Sequence, residues 1–123
     1  MNVLADTNIW CRFFRDGDAT LSALIENDLL AMHPIVIGEL SVGNLPSRTQ
    51  TLKDFQALPS VRPASDDETH RFLEEHALRG KGLQWNDMLI LSSVIASPDT
   101  LLWAGDKRLA DTATAFQVGY SPR

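Results

Sequence analysis

Four carboxylates stand where apolar segments begin, continue or end, and together they could hold a metal ion. Asp6 and Asp106 each follow a short apolar run, Glu39 lies inside one, and Asp87 directly precedes one. Burying an isolated ionised carboxylate is costly, and several close together repel each other. Because a divalent cation offsets both costs, the pattern predicts a metal site.

Carboxylate oxygens are the ligands that Mg²⁺ prefers, and the ion keeps several of its waters when it binds to protein. In such a site Mg²⁺ can hold a phosphate group, lower the pKa of an attacking water and stabilise the leaving oxygen. The residue types therefore point to phosphodiester hydrolysis. The net charge of −5 argues against a protein that simply coats nucleic acid, but a bound cation reverses the local sign of an acidic site.

Each carboxylate also has a purely structural interpretation. Asp6 after a strand could cap a helix, and Asp87 and Asp106 could stabilise the first turns of helices. Glu39 is harder to explain in this way because its neighbours are apolar on both sides. Taken singly, none of the four establishes a metal site, and the hypothesis depends on their convergence.

An alternation of strands and helices must bring these residues together. Strands are predicted at 2–5, 29–32, 60–63 (or an extended piece), 100–104 and 116–120, and helices at 9–14, 20–26, 34–42, 47–55, 65–79, 85–97 and 106–115. Thr20 is expected to cap the second helix, and Ser65 is expected to form a capping box with Glu68. The order of elements predicts an α/β domain with a mainly parallel sheet covered on both faces. Sites in these sheets lie beyond the carboxyl ends of the strands, where Asp6 and Asp106 fall.

The bulk composition narrows the class of protein. The 123 residues are expected to form a single domain, 1–123. A lone cysteine, Cys11, excludes an intramolecular disulfide and suits a reducing, cytoplasmic location. The N-terminal segment lacks the features of a signal peptide, and no apolar run approaches the roughly 20 residues that span a bilayer. We therefore expect a protein without a membrane segment.

The same carboxylates lie in four motifs that resemble those of PIN-domain nucleases. The motifs are Asp6-Thr7-Asn8, Ile37-Gly38-Glu39-Leu40-Ser41-Val42-Gly43, Asn86-Asp87-Met88-Leu89-Ile90 and Leu102-Trp103-Ala104-Gly105-Asp106-Lys107-Arg108-Leu109. Their order and spacing cover nearly the whole chain. The length of the chain and the residues of the motifs are most similar to those of VapC-type toxins of toxin–antitoxin pairs.

This resemblance implies a three-layer α/β/α sandwich and cleavage of RNA that depends on Mg²⁺, with Mn²⁺ as a substitute. It also implies a homodimer that is neutralised by a small antitoxin protein. By position, Asp6, Glu39, Asp87 and Asp106 would be the catalytic, metal-binding quartet, with Asp6 and Asp87 as the most direct ligands. Thr7 and Asn8 would support Asp6 through hydrogen bonds that orient a ligand.

One position departs from the family pattern, and it leaves a second interpretation open. The fourth motif often has Thr or Ser two residues before its Asp, where this chain has Ala104. Asp106 is therefore the least secure member of the quartet. The alternative is a catalytically weak PIN-like module that binds RNA or protein. A phosphotransfer protein ranks last because the first motif lacks the second Asp of haloacid-type phosphatases.

Basic and aromatic residues near the motifs are candidates for holding RNA. The basic candidates are Arg12, Arg15, Lys81, Lys107 and Arg108, of which Arg12, Lys81 and Lys107 are preferred. Cations around an acidic centre could contact phosphates. Trp10 and Trp85 could stack on unpaired bases, although tryptophans more often pack in a core.

Overall fold

A three-stranded parallel sheet forms the centre of the computed structural model, which describes residues 1–122. The strands of the described chain are β1 (Asn2–Ala5), β2 (Leu30–Ala31) and β3 (Thr100–Trp103), in the order β2-β1-β3. The helices are α1 (Thr7–Asp16), α2 (Ala19–Glu26), α3 (Pro34–Val42), α4 (Arg48–Ala57), α5 (Asp66–Glu75), α6 (Trp85–Ile95) and α7 (Lys107–Ala115). The predicted α/β class is confirmed.

The central strand β1 is buried on both sides. Val3, Leu4 and Ala5 have no exposed surface, and successive residues of a strand point to opposite faces of the sheet. Both faces must therefore be covered. The chain crosses in one direction from β1 to β2 and on to a parallel bridge between Met32 and Ser60, and then returns in the other direction to β3. Right-handed crossovers therefore put α1–α4 on one face, where Trp10 of α1 packs against Phe55 of α4, and α5 and α6 on the other. This arrangement gives the expected three layers.

Local signals in the sequence fix several helix ends. The capping box between Ser65 and Glu68 forms as predicted, with reciprocal hydrogen bonds of 3.0 Å. Helix α3 begins at Pro34 and ends before Gly43, also as predicted. The cap of α2 was assigned wrongly, because Asp18 and not Thr20 accepts the hydrogen bond from the first turn.

Several predicted elements are shorter in the structure. The strand expected at 60–63 contributes a single parallel bridge, between Ser60 and Met32. The helix expected to reach Arg79 ends at Glu75, because the chain turns through Ala77 at a φ of 50° and Leu78 N–H bonds back to the α5 carbonyl of Leu73. The expected edge strand at 116–120 contributes a single parallel bridge, between Gly119 and Leu102. Phe116 instead follows directly on the last turn of α7.

A buried polar group holds α6 in place. Ser93 has no exposed surface, and its hydroxyl accepts a hydrogen bond from Ala64 N–H at 2.8 Å. The same hydroxyl lies 3.0 Å from Nε2 of His33 and donates to the carbonyl of Leu89 at 2.6 Å. His33 Nδ1 accepts a hydrogen bond from Ile35 N–H at the start of α3. One hydroxyl thus ties α6 to the entries of α3 and α5.

None of the helices formed by residues 1–122 is both long enough and apolar enough to cross a bilayer.

Replacing Ser93 with alanine tests this junction. The change leaves the buried donor of Ala64 and the ring of His33 without their partner, which should lower the free energy of unfolding by about 1–3 kcal/mol. Urea denaturation would measure it. Ser97→Ala is the matched control, because the Ser97 hydroxyl donates only to the carbonyl of Ser93, and its cost should be about 0.5 kcal/mol or less. Equal losses of stability in the two variants would contradict the role of Ser93 in joining α6 to the starts of α3 and α5.

Candidate active site

Asp6 links the carboxyl ends of the two longest strands. Its backbone N–H bonds to the carbonyl of Trp103 at 3.0 Å, continuing the pairing of β1 with β3. Its carboxylate accepts a hydrogen bond from Ile9 N–H at 3.1 Å and so caps α1. Gly105 N–H lies 3.3 and 3.2 Å from its two oxygens. The first and fourth motifs therefore meet at one buried carboxylate.

Gly105 permits this approach because it has no side chain. A Cβ at this position would lie 2.9 Å from the Cβ of Asn8. The contact between the loop after β3 and the first turn of α1 therefore requires glycine. The same close packing places Asp106, which caps α7 by accepting from Leu109 N–H at 3.0 Å.

The two remaining carboxylates come from helices. Glu39 lies within α3, and its Oε1 accepts a hydrogen bond from the hydroxyl of Thr7 at 2.8 Å. Asp87 lies in the first turn of α6, and its Oδ2 accepts from the backbone N–H of Gln84 at 3.0 Å. Each carboxylate is thus oriented by a donor from the protein.

All four carboxylates line one pocket of about 310 Å³. Thr7, Asn8, Gly82, Gln84, Ile90 and Arg108 complete its lining. At about 30 Å³ per water molecule, the pocket has room for roughly ten waters, or for a hydrated cation with a phosphate group. Three lining residues, Asp6, Gln84 and Asp106, are the N-caps of α1, α6 and α7. The positive ends of three helix dipoles therefore face the acidic pocket.

The carboxylates influence one another's protonation. Burial raises the pKa of Asp6 above its ordinary value of 3.8, the N–H donors of Ile9 and Gly105 oppose this rise, and Asp87 and Asp106 add to it. Burial likewise raises the pKa of Asp87, and the negative charges of Asp106 and Glu39 raise it further. The pocket therefore concentrates negative charge that a cation would neutralise.

A sequence profile of the PIN domain matches residues 3–115. The chain belongs to the PIN-domain family. It is also 35% identical over 107 residues to ribonuclease VapC32 of Mycobacterium tuberculosis, in each of two strains, which covers 87% of this chain and 86% of the relative. The resemblance to VapC-type PIN proteins, inferred from the four motifs, is confirmed.

The fold is similar to that of a solved protein with a distant sequence. The crystal structure of PAE2754 from Pyrobaculum aerophilum matches with a TM-score of 0.58 and 19% sequence identity, over 90% of this chain and 78% of that one. At this identity the match bears on the fold alone. It agrees with the parallel sheet and helical layers described above.

The pocket of this PIN domain suits a hard divalent cation. The ionisable side chains of its lining that can bind a metal are carboxylates, and carboxylate oxygens suit Mg²⁺ or Mn²⁺. Within residues 1–122 no three ligating side chains are grouped tightly enough to enclose an ion by themselves. Mg²⁺ commonly binds through one or two carboxylates and keeps several of its waters, so it does not require such a group.

The two residues expected to support Asp6 behave differently. The hydroxyl of Thr7 bonds to Glu39 and not to Asp6, so that expectation was wrong for Thr7. Its position at the start of α1 aims the hydroxyl across the pocket at α3. Asn8 lines the pocket and packs against Gly105, so it acts beside Asp6 through packing.

The three predicted RNA-contacting cations lie outside the pocket lining. Arg12 pairs with Asp18 at 3.6 Å, and Lys107 pairs with Asp111 at 2.7 Å, a contact that raises the pKa of Lys107. Lys81 is exposed on the loop before α6. Their role as RNA contacts stays a prediction.

The two candidate stacking residues have different environments. Trp10 is 2% exposed and packs against Phe13, Phe14 and Phe55, so its interpretation as a base-stacking residue was wrong. Trp85 is exposed at the start of α6, and its ring lies 4.5 Å from that of His70.

Three of the lining residues, Gly82, Gln84 and Ile90, were not predicted from the sequence to belong to the site. Gln84 and Ile90 lie three positions before and after Asp87, a spacing that a helical face would have indicated. Gly82 lies in the loop before α6 and Arg108 in the fourth motif, and only the folded chain brings them together. Arg108 was noted among the nearby cations, yet its neighbour Lys107 was preferred.

Replacing Asp6 with asparagine should stabilise the metal-free protein at neutral pH. Asparagine can still accept from Ile9 and Gly105 but carries no charge. The pKa of Asp6 is raised above 3.8 in the folded state. At pH values between 3.8 and the raised pKa, the folded protein therefore keeps a proton on Asp6 that the unfolded chain has lost. The contribution of Asp6 to stability therefore falls as pH rises through this window. The increase in Tm of Asp6→Asn over the natural chain should therefore be largest at pH values above this window, and it should shrink as the pH falls toward 3.8.

Asp18→Asn provides the matched control for this measurement. Asp18 caps α2 through Leu21 N–H at 3.0 Å but pairs with Arg12 instead of facing other carboxylates. Thermal unfolding of this variant in chelator should show no gain at neutral pH. A loss of stability in Asp6→Asn throughout the pH range would contradict the inference that the charged form of Asp6 is destabilised by burial.

Proposed function

We propose that this PIN domain is an Mg²⁺-dependent endoribonuclease that hydrolyses RNA phosphodiester bonds with a metal-activated water. One observation carries the proposal: four carboxylates from four separate elements line a single pocket beyond the carboxyl ends of β1 and β3. The relative in Mycobacterium tuberculosis that bears the name ribonuclease supports the reaction class. RNA is the substrate in this proposal, and the reaction is a hydrolysis.

Asp6 and Asp87 would hold the cation, with Glu39 and Asp106 completing the acidic set. When bound, Mg²⁺ or Mn²⁺ supplies positive charge to the phosphate and lowers the pKa of a bound water. Asp6 is held by the N–H groups of Ile9 and Gly105, so its oxygens need little reorganisation on binding. Asp87 is fixed in the same way by its bond to Gln84.

Glu39 is suited to accept a proton. Thr7 occupies its Oε1 at 2.8 Å, which leaves Oε2 to accept from a water in the pocket. A carboxylate that lies within reach of the reacting water can act as a general base. Thr7 is then a positioning residue for Glu39, since its hydroxyl fixes the orientation of the carboxylate.

The biological role follows from relatedness to a VapC ribonuclease. We infer that the protein is the toxin of a toxin–antitoxin pair, acts in the cytoplasm as a homodimer, and is neutralised by a small antitoxin protein. The lone cysteine is compatible with that compartment. This role is separate from the nuclease chemistry and is tested separately.

Removing either main ligand should abolish cleavage. Asp6→Asn and Asp87→Asn each remove a charge that would hold the cation, an effect worth several kcal/mol, so the rate should fall by about 100-fold or more. The assay follows single-turnover cleavage of a single-stranded RNA by purified protein with Mg²⁺, with Mn²⁺ and with EDTA. Cleavage should require a divalent ion and resume when the ion is restored.

Asp54→Asn is the control for these variants. Asp54 is exposed on α4 and accepts a hydrogen bond from Gln50 away from the pocket, so its activity should match that of the natural chain. Equal cleavage with EDTA would contradict the mechanism. RNA binding without cleavage under any divalent ion would favour the binding-module alternative.

Expression of the intact chain without its partner should arrest bacterial growth. Induction of the Asp6→Asn variant at the same protein level should not, because the arrest would require cleavage of cellular RNA. This role also predicts a short neighbouring reading frame whose co-expression relieves the arrest. Harmless accumulation of the active enzyme would contradict the toxin role and leave the nuclease proposal standing.

A further inference from the structure

One cation lines the acidic pocket among the residues that the structure describes, and it is Arg108. It lies at the second position of α7 and is exposed. Within residues 1–122 it takes part in no ion pair with a carboxylate. Its immediate neighbour Lys107, by contrast, pairs with Asp111 at 2.7 Å.

Arg108 is seated on a glycine. Gly82 has a φ of +84°, and a Cβ built there would lie 2.8 Å from Cδ and 3.0 Å from both Nε and Nη1 of Arg108. The side chain therefore crosses the bare face of the loop that precedes α6. Any other residue at position 82 would push the guanidinium away, besides straining the backbone.

This placement is difficult to explain by stability alone. Four carboxylates line the same pocket, yet Arg108 lies against a glycine and pairs with none of them. A guanidinium carries five N–H donors in a rigid fork that matches two oxygens of a phosphate group. At an acidic pocket it also offsets the repulsion that a phosphodiester meets on approach.

We propose that Arg108, held in place by Gly82, binds the phosphate of the RNA substrate and orients it over the carboxylates. The inference rests on the proposed nuclease function and adds to it a residue that contacts the substrate. Gly82 is a positioning residue in this scheme, because it acts only through the side chain of Arg108. The pair joins the loop before α6 to the first turn of α7.

The test uses the full-length protein and one single-stranded RNA. Arg108→Ala should lower kcat/KM by about 10- to 100-fold, as expected when charge-assisted hydrogen bonds are lost. Arg108→Lys should fall between the natural chain and Arg108→Ala, because an ammonium keeps the charge but loses the fork. The salt dependence of binding should weaken by about one phosphate contact in Arg108→Ala.

Gly82→Ala distinguishes a positioned arginine from a merely nearby charge. It keeps Arg108 but displaces it, so it should also lower kcat/KM. The double variant should be no worse than Arg108→Ala, since residues that act together are not additive. Additive losses would overturn the role of Gly82.

Arg62→Ala is the control, because it removes an exposed arginine that pairs with Glu68 outside the pocket. Its kcat/KM should stay within about 2-fold of the natural chain, in line with the small effect of most surface substitutions. Equal kcat/KM for Arg108→Ala and Arg62→Ala would overturn the proposal. Thermal unfolding of every variant confirms that it is folded.

A binding assay separates this inference from the nuclease proposal. Fluorescence anisotropy with the same RNA, in the Asp6→Asn background, measures affinity without cleavage. If the natural chain cuts no RNA, the nuclease proposal fails, and the affinity still decides the role of Arg108. Unchanged affinity in Arg108→Ala would then overturn it, whereas a 10-fold or greater loss would support it.

Discussion

The hydrogen bonds between the carboxylate of Asp6 and the N–H of Gly105 join two residues 99 positions apart, and the geometry of the pocket depends on them. They form only because β1 pairs in parallel with β3 and because Gly105 has no Cβ to meet Asn8. Once they form, the N-termini of α1 and α7 lie side by side. Two motifs from opposite ends of the chain then face the same space.

The capping and ligand interpretations of the carboxylates are compatible. Asp6 and Asp106 cap α1 and α7, and Asp87 closes the first turn of α6, while all three also line the pocket. A carboxylate has two oxygens and about four acceptor sites, so a cap uses only part of its capacity. The backbone donors that fix each orientation also offset some of the repulsion between the charges. Capping thus orients these side chains and leaves acceptor sites for the cation proposed above.

The sequence predicted the parts of this protein that short-range signals control. The strand before Asp6, the start of α3 at Pro34 and the capping box of Ser65 all have local causes. Contacts that depend on packing between distant segments were missed, such as the seating of Arg108 on Gly82 and the bond from Thr7 to Glu39. Local patterns do not predict such contacts. Lys107 and Arg108 are adjacent basic residues on α7, and only the packing of the helix decides which of them lines the pocket. The family motifs supplied the convergence of the four acids, which periodicity alone left open.

The four carboxylates of the pocket also differ in how deeply they are buried. Asp6 is buried, Asp87 is half-buried, and Glu39 and Asp106 are exposed. Burial raises the pKa of the inner pair, so a bound cation would stabilise the charged form of these two carboxylates most. Each acid also borders a buried apolar segment that anchors it: β1 lies behind Asp6 and the core face of α6 behind Asp87. Rigid apolar elements can therefore hold repelling charges in register, and Arg108, which lies against Gly82, adds one exposed positive charge to the lining of the pocket.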